Sequence, residues 1–469
     1  MLKSNILNLN NVKHVHFIGI GGVSMSGLAE ILLNMGYKVS GSDLNSSCLT
    51  SKLTEKGIKV YIGHSEENIK NPDLVVYTAA VKKDNPELLK CELLNIPVIE
   101  RSVLLGEIMK TFPYSIAVSG THGKTTTTSM VSMILLECGF DPTIHIGGEL
   151  NAIGGNTRIG GNKYFVSEAC EYVESFLKFY PFLAIVLNIE EDHLDYFKDI
   201  EHIKSSFLKF MSLVPEDGYI VANCDDENVT SLLKHINCNK ITYGITSNDA
   251  MWNAKDIVFD HAGCAAFDVY KNGKKVIDIN LKLPGIHNVS NALGAISACH
   301  ALGCDFKGIK AGLENYTGTH RRFELKGIIN DIKVIDDYAH HPSEIKATLK
   351  ACKNISHRKI WCVFQPHTYS RTKHLLDEFK DAFCDADMVI ISDIYSAREV
   401  DTGEIHSLQL VDKIKHYNKN VLYIPEFESI VQLLNKHASQ GDVIITMGAG
   451  NINSVGEMFL RTKKIIAVS

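Results

Sequence analysis

The stretch Gly120-Thr121-His122-Gly123-Lys124-Thr125-Thr126-Thr127 constrains this chain more than any other. It falls where an apolar run, Ser115 to Val118, gives way to helical spacing at Met130, Ile134 and Leu135. A glycine-rich turn between a buried strand and a helix belongs to an α/β sheet with the helix packed on its face. Such a turn is also a phosphate cradle. The helix N-terminus carries roughly half a positive charge, and glycines let bare backbone N–H groups approach an anion. Lys124 is then placed to neutralise β and γ phosphate oxygens from a surface loop, and Thr125 to ligate Mg²⁺, which predicts use of ATP. Val118 stands at the first glycine position of the strict G-x-x-x-x-G-K-[ST] pattern, so the alternative is a loop rich in small residues.

At 469 residues the chain has room for about three such units, with joints expected near residues 110 and 318: domains 1–110, 111–318 and 319–469. In the first, strands at Val15 to Ile20, Lys38 to Ser40, Leu74 to Ala79 and Val98-Ile99 alternate with helical or loop stretches. Met25, Leu28, Ala29 and Leu32 keep helical spacing, and the pattern predicts a doubly wound parallel sheet. The second has strands at Tyr164 to Ser167, Ala184 to Leu187 and Tyr219 to Ala222. It closes with Val258 to Tyr270 and Lys274 to Asn280 around Asn272-Gly273, an antiparallel addition. The third returns to βα order, with strands at Ile360 to Phe364, Met388 to Ile391, Val421 to Ile424 and Val443 to Thr446. A formal charge of -6 with interleaved signs argues against nucleic-acid or anionic-membrane surfaces. Twelve cysteines without a C-x-x-C pair suggest reduced thiols, and the absence of a signal peptide or a membrane-length apolar run predicts a cytoplasmic protein without membrane insertion. A monomer or homodimer is expected, with no sequence feature that chooses between them.

Further motifs sit at strand ends, where an α/β sheet presents its ligand crevice. Gly19-Ile-Gly21-Gly22-Val-Ser24 opens the first helix as a diphosphate loop, with Asp43 to orient a ribose or base; a structural tight turn is the alternative. Glu168 ends a strand and can reach a metal at the phosphate loop, with Glu171 a weaker candidate or an exposed helix-start carboxylate. His193, flanked by Glu190, Glu191, Asp192 and Asp195, is a candidate second metal ligand. Asn288 and Asn291, with His287, share a helix face fit to read a purine edge, unless Asn288 caps the helix. His320-Arg321-Arg322-Phe323, Asp336-Asp337-Tyr338-Ala-His340-His341-Pro342 and Gln365-Pro-His367-Thr-Tyr369-Ser-Arg371 are charged where a core would be apolar. His340 and His341 are neighbours that point apart, a poor zinc pair.

The phosphate loop, Glu168, Asn188-Ile-Glu-Glu-Asp-His193, His287-Asn-Val-Ser-Asn291, Arg321-Arg322 and Asp336 to Pro342 together resemble the ATP-dependent Mur ligases, in an order covering nearly the whole chain. His16-Phe-Ile-Gly-Ile-Gly-Gly22 with Met25-Ser-Gly-Leu-Ala29, and Phe364 to Arg371, are similar to the branch that joins L-alanine to UDP-N-acetylmuramate. The resemblance implies a three-domain α/β architecture: a Rossmann-like UDP-binding domain, a central P-loop ATPase-like domain with the antiparallel addition, and a C-terminal Rossmann-like domain. It implies that Gly19, Gly21, Gly22, Ser24, Ser42 and Asp43 hold the UDP sugar. Gly120, Thr121, His122, Gly123, Lys124, Thr125 and Thr126 would cradle the ATP phosphates, His287, Asn288 and Asn291 would surround adenine, and Asp337 the ribose. Lys124, Glu168, His193 and Arg322 would carry catalysis, with Thr125, Glu168 and His193 holding Mg²⁺ or Mn²⁺. Tyr338, His367 and Arg371 would face the amino acid. A ligase that recycles an intact murein tripeptide shares the first two domains. Tyr395-Ser-Ala-Arg-Glu-Val-Asp-Thr-Gly403 favours the smaller acceptor, and intact Lys124, Glu168 and His193 speak against a noncatalytic nucleotide-binding switch.

Overall fold

The computed structural model describes residues 9–78 and 80–468, and its strands form three sheets. The first is parallel throughout, in the order Lys59–Ile62, Lys38–Asp43, His14–Ile18, Leu74–Tyr77, Val98–Glu100. Its central strand stops at Ile18 rather than Ile20, because Gly19 turns left-handed at φ +83° and the N–H groups of Gly19 and Ile20 donate to Ser42 O at 2.8 and 2.9 Å. Lys38–Asp43 runs three residues beyond the expected end and delivers that carbonyl. The expected strand Leu74 to Ala79 is seen as Leu74–Tyr77, Ala79 lying outside the described residues.

The second sheet has ten strands, with Tyr114–Ser119 between Leu183–Val186 and Tyr164–Glu168, all three parallel. Alternate residues of these strands feed cores on the two faces. Ile116, Val118 and Ile185 pack with Met130, Val131 and Ile134 of the helix Lys124–Glu137, while Ala117, Ala184 and Val186 pack with Phe207 of Ile200–Met211. The expected strand Val258 to Tyr270 is instead two, Trp252–Phe259 and Cys264–Lys271. Asp260 breaks the run: its carboxylate accepts from the N–H groups of Ala262 and Cys264 at 2.8 and 2.9 Å, and Gly263 turns at φ +75°. Asn272 and Gly273, both left-handed at φ 50° and 74°, then make the two-residue turn into Lys274–Pro284.

The third sheet runs in the order Glu324–Ile329, Ile332–Asp337, Val443–Met447, Ile360–Phe364, Met388–Ile391, Val421–Tyr423. Its first two strands are an antiparallel hairpin turned at the left-handed pair Asn330-Asp331; the second is the strand expected to end at the Asp336-Asp337 motif, and the first was not foreseen from sequence. Among the described residues no helix is long and apolar enough to cross a membrane.

Candidate active site

The phosphate loop is squeezed between two neighbours, which explains its glycines. A Cβ on Gly120, at φ +146°, would lie 2.9 Å from Leu187 Cβ; one on Gly123, at φ +84°, would lie 2.6 Å from Asn291 Oδ1. The Lys124 ammonium sits against the carbonyls of Gly120 and Thr121 and pairs with Glu171 at 3.0 Å. Burial is the largest single influence and opposes its charge, but Glu171, together with the smaller effects of Cys170 and Glu168, raises the pKa overall. Lys124 is therefore a largely buried, paired cation, contrary to the surface position expected from sequence.

Glu171 is 3% exposed, which corrects its reading as an exposed helix-start carboxylate; it bridges Lys124 to His193, whose Nε2 lies 3.9 Å away. Glu168 points elsewhere, its Oε1 accepting from Gly147 N at 2.7 Å, and it acts on Lys124 only as a weaker charge. His193 is left-handed at φ 54°, packs against Tyr172 with the rings tilted and their centroids 4.5 Å apart, and stands 3.6 Å from Asp192.

Beside the loop opens a cavity of about 230 Å³ whose lining includes Gly123, Thr126, His287, Asn288, Asn291, Arg322 and Asp337. The helix Ile286–Ala301 has Gly285 at its N-cap, so Asn288 caps nothing. Its amide instead donates to Pro284 O at 2.8 Å and accepts from Asn291 at 3.2 Å, leaving the Asn291 oxygen toward Gly123. Burial holds His287 neutral, with its pKa lowered to about 4. Asp337 is pushed up to about 6 by burial, against the pull of Arg322 and of two N–H donors, Ala339 and Phe323, both at 2.7 Å. Arg322 reaches from the third sheet's lead-in to Thr125 Oγ1 at 3.5 Å.

His122 is the residue whose role the sequence left least visible. Its ring lies 3.1 Å from Glu344, at the start of Pro342–Lys353, and 3.4 Å from Glu190. Burial opposes ionisation, but Glu344 and Glu190 together raise the pKa to about 10. Donor atoms of His122, Glu190 and His341 lie within 4.8 Å of one another, yet an imidazolium has no lone pair for a metal, and His341 is spent on Glu191 O at 3.0 Å and on the Ser343 N–H. His340 is held neutral, lowered to about 3 by burial, with Nδ1 on Tyr338 O at 3.0 Å.

A second cavity, about 250 Å³, is lined by Asp192, His193, His367, Arg371 and Arg398 among others. Arg371 donates through Nε and Nη2 to Asp192 at 3.1 and 3.0 Å, and its Nη1 lies 3.2 Å from His367 Nδ1. Burial opposes the Asp192 charge, but His193 and Arg371 hold its carboxyl below the usual range. Burial and then Arg371 lower His367 to about 4. Tyr338, expected with them, does not line this cavity; its ring lies under the guanidinium groups of Arg321 and Arg322 at 5.2 and 5.1 Å.

In the first sheet the glycine loop is held from below. Asp43 accepts from Gly21 N at 2.8 Å, and Ser24 Oγ meets His145 at 2.8 Å and Arg101 at 3.0 Å. Ser42 is fully buried, its hydroxyl donating to the buried Glu87 at 2.6 Å, so it reaches the loop only through its backbone carbonyl. Glu87, His145 and Arg101 carry no local motif and were not singled out from sequence.

Three family profiles match in order: "Mur ligase family, catalytic domain" over residues 14–113, "Mur ligase middle domain" over 118–299 and "Mur ligase, glutamate ligase domain" over 321–450. The UDP-N-acetylmuramate--L-alanine ligase of Acetivibrio thermocellus is 68% identical over the full length of both chains. The chain belongs to the Mur ligase family. The ligase of the same name from Caldanaerobacter subterraneus subsp. tengcongensis is 52% identical, covering 98% of this chain and 99% of its own. Among solved structures, the UDP-N-acetylmuramate-alanine ligase of Thermotoga maritima aligns with a TM-score of 0.81 at 30% identity, covering 97% of this chain and 99% of that one. A murein peptide ligase from Psychrobacter arcticus aligns with a TM-score of 0.71 at 28% identity, covering 96% and 98%. This Mur ligase thus shares its three-sheet α/β fold with both.

Proposed function

We propose that this chain joins L-alanine to the lactyl carboxylate of UDP-N-acetylmuramate at the expense of ATP, yielding UDP-N-acetylmuramoyl-L-alanine, ADP and phosphate for peptidoglycan synthesis. One observation carries the reading. The loop that follows Leu183–Val186 contributes Asn188 and Glu190 to the first cavity and Asp192 to Asp195 to the second, so a phosphoryl donor and an amine are held on its two sides. The carboxylate attacks the γ-phosphate, forming an acyl phosphate and releasing ADP; the amine then displaces phosphate, a far better leaving group than hydroxide. Positioning and charge neutralisation do most of such work. Lys124 and Arg322 converge on the phosphate loop as its cations. The glycine loop Gly19, Gly21 and Gly22 receives the UDP diphosphate, held by Asp43 and Ser42 beneath it.

By the family resemblance the Thr125 hydroxyl, Glu168 and His193 would hold Mg²⁺ or Mn²⁺; hard oxygen donors suit either ion, and Glu171, beside both Lys124 and His193, would add a further carboxylate. Such an ion supplies charge neutralisation at the transferring phosphoryl group. Domain limits at 1–110, 111–318 and 319–469, a cytoplasmic location among soluble nucleotide precursors, and a monomer or homodimer belong to the same proposal.

A coupled phosphate-release assay tests it: phosphate is expected only with ATP, UDP-N-acetylmuramate and L-alanine together, and only with added Mg²⁺ or Mn²⁺. Turnover that survives exhaustive chelation contradicts the metal assignment. Substituting the murein tripeptide for alanine tests the recycling reading, which the stretch Tyr395 to Gly403 disfavours.

A further inference from the structure

The second cavity contains two arginines in different electrostatic situations. Arg371 is committed: Asp192 takes its Nε and Nη2, and His367 its Nη1. Arg398 lines the same cavity, and its guanidinium makes no hydrogen bond or ion pair among the described residues. The carboxylates nearby are already engaged, Asp192 by Arg371, Asp195 by the Tyr172 hydroxyl at 2.8 Å, and Glu399 by the Ser370 N–H at 2.9 Å. An unpaired guanidinium in a cavity whose anions are all satisfied is a vacant receptor for one more carboxylate.

Its backbone is held for that purpose. Tyr395 N donates to Pro366 O, and Thr368 N returns a bond to Tyr395 O, both at 2.8 Å. The Tyr395 ring stacks on His367 at 5.7 Å. Ala397 adopts a left-handed φ of 52°, and Glu399 is anchored on Ser370, so the residue between them is fixed at both sides. Arg398 is itself exposed while lining the cavity, so its guanidinium is open to a small solute.

We infer that Arg398, rather than Arg371, receives the α-carboxylate of the incoming amino acid, while the Asp192–Arg371 pair positions His367 and the cavity wall. The inference rests on the proposed amide-forming reaction and names the group that selects an α-amino acid over other amines.

L-Alaninamide keeps the amine and methyl group of L-alanine but lacks the carboxylate, so the two acceptors separate carboxylate recognition from chemistry. In the complete protein, with saturating ATP and UDP-N-acetylmuramate, the ratio of kcat/KM for L-alanine to that for L-alaninamide is expected to fall about 30-fold in Arg398→Ala, chiefly through KM for alanine. Arg398→Lys, which retains the charge, is expected to recover part of that ratio. A ratio unchanged in Arg398→Ala, or the selective loss appearing in Arg371→Ala instead, overturns the inference. Wild-type protein that releases no phosphate with L-alanine overturns the reading beneath it, a separate outcome.

Discussion

Lys124 does two jobs, and they can be separated. Its charge neutralises phosphate, and it also satisfies Glu171, which is 3% exposed. Lys124→Met is therefore expected to lower kcat by about a hundredfold or more. It should also cost about 2 kcal/mol of stability, because the buried Glu171 carboxylate loses its partner. Lys124→Met/Glu171→Gln should regain most of that stability in a denaturant titration and none of the rate; parallel recovery of both would merge the two roles. A second residue-scale test concerns pH. Burial, then Arg101, lowers His145 to about 3, so between pH 6.5 and about 3 the unfolded chain binds a proton there that the folded chain does not. Its stabilising contribution is present above 6.5 and is lost as pH falls, at up to about 1.4 kcal/mol per pH unit. His145→Gln should flatten the fall in unfolding free energy between pH 6 and 4, and an unaltered slope would show His145 to be charged when folded.

At the scale of elements, the helix Lys124–Glu137 is unusual in being buried from Thr125 through Leu135 on every face. It hangs the phosphate loop from the middle of the core, and its neighbour Phe306–Asn315 approaches so closely that a Cβ on Gly312 would fall 2.5 Å from Ile134 Cα. Gly312→Val must push those helices apart. Overpacking of this kind costs about 1–3 kcal/mol, so a lower thermal midpoint is expected, together with weaker ATP binding by calorimetry. Unchanged values for both would mean that the loop's position does not depend on this packing. This helix was legible in sequence because a glycine turn opens it and Met130, Ile134 and Leu135 keep helical spacing. The strand Glu324–Ile329, hairpin partner of Ile332–Asp337, was not: it is a sheet edge that leaves Leu325 and Ile328 exposed, blurring the alternation that marks a half-buried strand.

For the whole molecule, the phosphate loop, the glycine loop of the first sheet and the Arg371 cavity belong to different parts of the chain; the first and second sheets share one buried apolar cluster, with Leu104, Leu105 and Ile108 beside Phe165 and Phe176, whereas the second and third are joined largely by polar side chains. His122 to Glu344, Arg371 to Asp192 and Arg322 to Thr125 join the second and third sheets through side chains 222, 179 and 197 residues apart. A largely polar junction of this kind permits rigid-body movement of the third sheet about the joint near residue 318, while the apolar cluster shared by the first two sheets opposes movement at the joint near residue 110. An ATP analogue with UDP-N-acetylmuramate is expected to reduce the radius of gyration in small-angle scattering, and Arg322→Ala to diminish that change without unfolding either neighbour. An unchanged radius in wild-type protein at saturating ligand would mean the site is assembled beforehand.

What the sequence determined by itself was local. The turn at Gly120 to Thr127, the runs that become strands and the spacing of Asn288 and Asn291 depend on neighbours a few residues apart, and the resemblance named the family from them. Tertiary structure alone decided which distant charges meet. It set Glu171 rather than Glu168 against Lys124, ionised His122 between two carboxylates, and closed Asp192 on Arg371 while leaving Arg398 open. Those outcomes follow from how three sheets dock and how deeply each pair is desolvated, since burial sets the strength and the cost of every charge.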